Sequence, residues 1–340
     1  EDGGQWPQYR HGPARSGITS AELPAELGQD WRTDLGESVS SPVVADGKVF
    51  VATVDSHRVH ALDTETGETL WTFTAGGRVD SPPAYHAGYI VFGSADGRVY
   101  CLRASDGKPA WTFRAAPRPR RIMSRGQLES RWPVHGSVLV TNEKTDSGTR
   151  PVAYCAAGKS SYLDSGIYLY RLGLRTGKML SRHRIYTRNP ETGGQPEEPR
   201  PYELPGAKPD VLSAQNGRIY MRHRAYDPET LERRKPAPHL FSPAGFLDDT
   251  WWHRTYWIYG SHFYSGYIGW FFAGREVPAG RILVYDDETI YGYGYRPEFM
   301  RGRRGRKYHL FAALRRDQVS QGKPDYGAAR RRYTRQSKYR

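Results

Sequence analysis

An all-β chain, folded as a β-propeller of four-stranded blades, is what this amino-acid sequence predicts, and three observations carry the prediction. Tryptophans recur at a constant interval of 40 residues, at Trp31, Trp71 and Trp111. Around them, short runs that alternate apolar and polar residues are separated by glycine turns, the pattern of half-buried strands. Composition agrees: 37 Gly, 24 Pro and 13% aromatic residues describe a turn-rich chain that is neither disordered nor helix-rich. Mean hydropathy is −0.74, and no stretch approaches the roughly 18 apolar residues that a spanning helix requires.

The 340 residues suffice for one large domain, and we read 1–340 as a single propeller. Its opening segment, 1–38, starts at Glu1 without a charged region or apolar stretch ahead of it, which fits a processed or trimmed start. The strand WRTDLG around Trp31 has no three strands before it, so it is expected to complete the final blade and close the ring.

Recognisable blades fill 39–295. In the first, VSSPVVADGKVFVAT gives a hairpin about Asp46-Gly47, RVHALD a third strand and WTFTAGG the tryptophan strand. The second repeats this 40 residues on, with Asp80-Ser81-Pro82 standing where Ser40-Ser41-Pro42 stood. A third unit starts near Ser137. A fourth follows the Pro- and Glu-rich connection Asn189 to Pro209 with VLSAQNGRIYMRHRAYDPETLE, and a fifth, strongly aromatic unit spans Leu240 to Glu276. GRILVYDDETIYGYG restarts an opening hairpin in a sixth, and KYHLFAALRR reads as one more strand. A repeat of about 40 to 45 residues with four strands buries its apolar faces only against neighbouring copies. Five to six blades are visible, so a complete ring of about seven to eight would need sequence beyond these residues or another subunit.

Lys plus Arg exceed Asp plus Glu by 50 − 36 = 14. The excess belongs to 296–340, which holds 15 of the basic and 3 of the acidic residues, leaving 35 against 33 before Arg296. This basic end and the loop from Arg114 to Arg131 suit an acidic protein partner, an anionic envelope polymer or plain solvation, with nucleic acid the least expected.

Ala61-x-Asp63-x-x-Thr66-Gly67-x-x-x-Trp71 resembles the tryptophan-docking motif of the PQQ-like, or quinoprotein-like, repeat family, which includes alcohol dehydrogenases and an outer-membrane β-barrel assembly lipoprotein. The second blade keeps Gly107 and Trp111 but has Cys101, Arg103 and Asp106 where Ala, Asp and Thr are usual; the third keeps Thr176 and Gly177, and the fourth Ala225, Asp227 and Thr230. WPQYRHGPARSG looks like the mature start of exported bacterial members, and AAGKSSYLDSG and FLDDTWWHRTYWIYG are similar to stretches of large planctomycete-type relatives. The resemblance implies that Trp31, Trp71 and Trp111, with Gly67, Gly107 and Asp63, are structural, each indole packing between blades with its N–H on a backbone partner.

It also raises quinone chemistry. Enzymatic members hold the cofactor between a Trp and a ring of two adjacent disulfide-bonded cysteines, with calcium on Glu, Asn and Asp. Here Cys101 and Cys155 are far apart, and Asp248-Asp249 and Asp286-Asp287-Glu288 read as turns. Neither PQQ nor calcium is expected, no HExxH or nucleophile elbow occurs, and no residue is assigned a catalytic or metal-binding role. The candidate partner or ligand surface is the aromatic stretch, with Trp251, Trp252, His253, Arg254, Tyr256 and Trp257; part of it is core, and the rest suits protein docking or stacking on sugar rings. The expectation is an exported, periplasmic or extracellular scaffold that binds protein or envelope polymer without catalysis. Its alternative is a quinone- or metal-dependent oxidoreductase completed by further blades.

Overall fold

The structure, a computed structural model, describes residues 4–146, 148–161, 164–189, 191–194, 211–242, 245–246, 257–261, 278–295 and 309–315. Blade 1 is the antiparallel sheet β1 (Val43–Ala45), β2 (Lys48–Thr53), β3 (Arg58–Asp63) and β4 (Thr69–Thr74), in that order. Blade 2 repeats it with β5 (Ala84–His86), β6 (Tyr89–Gly93), β7 (Arg98–Arg103) and β8 (Pro109–Arg114). A separate hairpin, β9 (Arg121–Ser124) and β10 (Gln127–Ser130), precedes blade 3, which is β11 (Leu139–Thr145), β12 (Gly148–Ala157), β13 (Ile167–Gly173) and β14 (Met179–Ile185). Blade 4 comprises β15 (Leu212–Gln215), β16 (Arg218–Met221), β17 (Arg224–Tyr226) and β18 (Arg233–Arg234). The described residues therefore form a five-blade propeller, the fifth sheet being β19 (His239–Phe241), β20 (Trp257–Gly260), β21 (Ala279–Tyr285), β22 (Thr289–Tyr295) and β23 (His309–Leu314).

Local sequence explains the regularity. The first hairpin of blades 1, 2 and 4 turns on two residues with positive φ, Asp46-Gly47, Ala87-Gly88 and Asn216-Gly217. That conformation matches the right-handed twist of the flanking strands, and glycine adopts it without steric cost. Middle strands such as β2, β3 and β6 are buried along most of their length because neighbouring blades pack face to face. The apolar cores accordingly sit in the seams: Phe50, Val59, Ile90 and Leu102 join blades 1 and 2, Val91, Cys101, Val140 and Cys155 join blades 2 and 3, and Leu139, Tyr154, Ile219 and Tyr226 join blades 3 and 4.

Two parts of the chain differ from the sequence reading. The expected fifth and sixth units share one five-stranded sheet, because β20 pairs with the start of β21 through Trp257–Gly280 and Ile258–Ala279 before β21 turns into β22. No strand runs through Trp31. Instead of edging a last blade, that stretch holds to blade 1 through its indole and through Thr33 Oγ1, which donates to the Gly67 carbonyl at 2.6 Å.

The first strands of neighbouring blades adjoin one another, β1 with β5, β5 with β11 and β11 with β15, so they line the centre of the array. Their inner edges are filled by residues 6–17. One amide from each of the five sheets donates to this segment: Val44 to Trp6 O (3.0 Å), Tyr85 to Pro7 O (2.7 Å), Val140 to Gln8 Oε1 (3.0 Å), Ala214 to Pro13 O (2.8 Å) and Tyr285 to Ser16 O (3.2 Å). Arg15, fully buried, donates through Nε to Leu212 O and through Nη1 to Tyr9 O, and Arg10 reaches Leu283 O while its guanidinium lies 4.2 Å over the Trp257 ring. The segment thus closes the strand edges that a propeller otherwise leaves facing its axis.

Candidate functional site

The residues read as structural docks lie at the outer turns. Trp71 of β4 donates from Nε1 to Ala104 O (3.0 Å) and lies over Gly107; Trp111 of β8 donates to Leu174 O (2.7 Å) and lies over Gly177; Trp31 donates to Thr64 O (2.9 Å) and lies over Gly67. A β-bulge at Ala61/Leu62 and again at Cys101/Leu102 re-aims each strand so that its tryptophan faces the next blade. The turn beneath each ring needs glycine twice over: φ is +66° to +71°, and an added Cβ would sit 2.5–2.6 Å from the indole. Asp63 shapes its turn by accepting from the Glu65 and Thr66 amides (2.8 and 3.0 Å), bonds that hold its carboxyl below the ordinary value.

Blade 3 carries Ser181 at the position opposite the bulge where Trp71 and Trp111 stand in blades 1 and 2. The matching turn of blade 4 has Leu231 in place of glycine, at φ +62° and fully buried, with its amide on Asp227 O as Gly67 is on Asp63 O. Leucine from below fills what tryptophan fills from above elsewhere, so the seam stays packed although the motif is gone.

Strands alternate in direction, so the β2–β3 type of turn and the crossover into the next blade emerge at the same end of every sheet. The crossover before blade 3 is longer than the one before blade 2, and the extra residues form the β9–β10 hairpin, laid across this face. Gln127 holds it to blade 1, bonding His57 Nε2 (2.7 Å) and the Asp55 carbonyl (3.1 Å). On blade 2 the Ser130 amide donates to Ala95 O (2.8 Å), and on blade 3 Arg131 pairs with Asp164.

Beneath the hairpin runs a chain of ionisable side chains, fully buried at Arg78, Asp80 and Glu129: Lys159 pairs with Glu129, Arg78 Nη2 with Glu129 (2.9 Å), Arg78 Nε with Asp80 (3.1 Å) and His135 Nδ1 with the other Asp80 oxygen (2.5 Å). Burial alone would raise the Asp80 carboxyl, but hydrogen bonds and charge from His135 and Arg78 outweigh it and hold it below the usual range. Burial likewise works against Glu129, whose bond from Lys159 and the charges of His135 and Lys159 depress its carboxyl. Removing a partner would leave a buried charge uncompensated, a cost of about 3–5 kcal/mol. His135 makes no other hydrogen bond among the described residues. The arrangement fixes a surface.

Sequence reasoning did not single out Arg78, Asp80, Glu129 or His135. The signal for them was the length of the crossover, since Trp71 stands 13 residues before β5 and Trp111 stands 28 before β11. Of the aromatic surface, Trp251, Trp252, His253, Arg254 and Tyr256 lie outside the described residues. Trp257 is half-buried and packs on Leu240, Tyr259 and Leu283, beneath Arg10.

The groups that the quinoprotein resemblance would assign to a cofactor are not assembled among the described residues. Cys101 and Cys155 are free thiols in the core between blades 2 and 3, where burial pushes each up to about 12, and no group of His, Cys, Asp or Glu is placed to hold a metal. The polar side chains at the axis include two arginines, a poor setting for a dication. No helix is long and apolar enough to cross a membrane among the described residues.

Residues 28–193 match the family model described as outer membrane protein assembly factor BamB. Among solved structures, the chain is similar to the quinohemoprotein alcohol dehydrogenase of Comamonas testosteroni, with 19% identity and TM-score 0.51 over 69% of this chain and 41% of that one. It is similar also to alcohol dehydrogenase ADHIIG of Pseudomonas putida HK5, at 15% identity and TM-score 0.50 over 70% of this chain and 42% of that one. BamB of Moraxella catarrhalis matches at 16% identity and TM-score 0.42, over 78% of this chain and 72% of that one. The chain therefore spans about two fifths of the length of the dehydrogenases it matches, and the likeness is one of fold. No curated protein matches the sequence.

Proposed function

We propose that this chain, which carries PQQ-like propeller blades over residues 28–193, is a docking platform for another protein of the cell envelope, working in the periplasm or outside the cell without catalysis. The observation that carries the reading is the face bearing the β9–β10 hairpin. Three blades, a hairpin and a chain of five ionisable side chains hold an exposed ribbon in one geometry. Rigid, preorganised surfaces favour association because little entropy is lost on binding. The family model's own description, an assembly factor, supports the same reading. Neither a quinone nor calcium is assigned a role, an acidic envelope polymer is the second choice of ligand, and nucleic acid is not expected.

The test is to isolate the protein from its source after mild crosslinking and to record its absorption spectrum. A protein adduct recovered in constant stoichiometry, with no chromophore in the visible or near-ultraviolet, is the expected result. A bound quinone spectrum together with dye-linked alcohol oxidation would replace the docking reading by the oxidoreductase alternative.

A further inference from the structure

The underside of the β9–β10 hairpin is accounted for; its outer side is not. Arg131 N donates to Arg120 O at 2.9 Å, which makes that pair hydrogen-bonded and sets the alternation along the ribbon. Ile122–Glu129 and Ser124–Gln127 are then the bonded pairs, while the N–H and C=O groups of Arg121 and Met123 point away from β10. On the β10 side the outward amide of Ser130 is taken up by Ala95 O. On the β9 side neither Arg121 nor Met123 has a backbone partner among the described residues. Among the described residues this edge of β9 is therefore uncovered, and Ser124 O, which faces β10, is met by Arg78 Nη1 from below (3.4 Å).

The side chains on that edge share one character. Met123 is 69% exposed and directly opposite Leu128, which is 51% exposed, so two apolar groups sit side by side in water. Arg118, Arg120 and Arg121 lie in the same run of chain, all exposed. From Pro117 to Arg131 the sole carboxylate is Glu129, and it is buried between Arg78 and Lys159. The tip residue Arg125 adopts φ +51° ahead of Gly126, a position where asparagine or glycine is the less strained choice. Arginine on an open edge also discourages pairing between copies of the chain, but that device does not call for an exposed methionine at its centre.

We propose that the outer edge of β9 accepts an extended, acidic segment of a partner polypeptide as an added strand, a surface that deepens and rests on the docking reading. Backbone pairing to Arg121 and Met123 supplies register, an apolar side chain covers Met123 and Leu128, and carboxylates meet the arginines of this run. Strand addition is favoured over a lipid surface because the free backbone groups would stay unpaired against headgroups.

The experiment measures binding of a labelled ten-residue peptide of alternating valine and glutamate to the full chain. It is compared with the same peptide N-methylated at alternate residues, with its valine–lysine counterpart, and with vesicles of anionic phosphatidylglycerol. Saturable binding of the acidic peptide, weakened at least about tenfold by N-methylation and by Arg121→Glu or Met123→Glu, is expected; both substitutions are at exposed sites, and an unchanged thermal midpoint certifies the fold. No binding, equal binding of the N-methylated peptide, or binding to vesicles alone overturns the proposal. Crosslinking the Arg121→Glu/Met123→Glu double variant in its source separates the two readings: if the adduct survives, docking stands and this edge is not its site, whereas an adduct absent even from the unaltered protein removes the docking reading itself.

Discussion

A tryptophan and a glycine that meet across a blade seam form one unit, and the unit can be taken apart. Gly107→Ala confronts a positive φ and an indole 2.6 Å away, whereas Gly47→Ala confronts a positive φ with nothing within 4 Å. Gly47→Ala should cost about 1–2 kcal/mol for the backbone alone, and Gly107→Ala a further ~1–3 kcal/mol for the overpacked ring, a difference that chemical denaturation resolves. The seam between blades 3 and 4 offers the converse. Ser181→Trp alone should destabilise by colliding with Leu231, and Leu231→Gly alone by about 3 kcal/mol as a leucine-sized void opens. Combined, they restore the Trp-over-Gly pairing of the other seams, so a double-mutant cycle should return a favourable coupling of about 2 kcal/mol or more. Additive effects would mean that Ser181 and Leu231 do not occupy equivalent halves of one dock. The motif was legible where tryptophan and glycine survive; this exchange was not, because a leucine at positive φ looks like any apolar residue until its turn is seen.

Among the elements, the hairpin β9–β10 shows where a repeat reading stops. Strands that recur every 40 residues declare themselves by comparison, but an insertion has no counterpart, and its pairing rests on a charge chain joining residues from 78 to 159. The charge chain makes the hairpin sensitive to acid. Asp80 and Glu129 both titrate below their ordinary values in the folded protein, so their contribution is complete above the unfolded values near 4 and is lost as pH falls through the folded ones. Amide exchange or limited proteolysis should therefore show β9 and β10 loosening below about pH 4, before the blades do. Glu129→Gln should weaken the hairpin at neutral pH and flatten that acid response, since the carboxylate shared by Arg78 and Lys159 is already gone. A hairpin that stays protected to the pH of global unfolding would show the charges to be incidental to its placement.

Why five sheets hold together around one axis depends on the segment that seemed least structural. WPQYRHGPARSG has no alternation, no repeat partner and three residues other than glycine at positive φ, Arg10, His11 and Arg15. Nothing in its pattern marks it as core, whereas its position shows it to be the common acceptor of an amide from every blade. Gln8 is the most specific contact, its side-chain amide closing a ring with Val140 through Nε2 to the carbonyl (2.9 Å) and Oε1 from the amide (3.0 Å). Gln8→Ala leaves both backbone groups of Val140 buried without partners, which should cost about 2–4 kcal/mol. Since the acceptors lie on one continuous segment, the effect should spread beyond blade 3: hydrogen exchange at Val44, Tyr85, Val140, Ala214 and Tyr285 should accelerate together when residues 1–17 are removed. A synthetic peptide of residues 4–17 should slow all five again in proportion to its concentration, as a ligand that binds only the folded state does. Exchange that quickens at Val140 alone would mean that each blade holds its inner strand unaided, and the axial segment would then be a passenger in the ring instead of its hub.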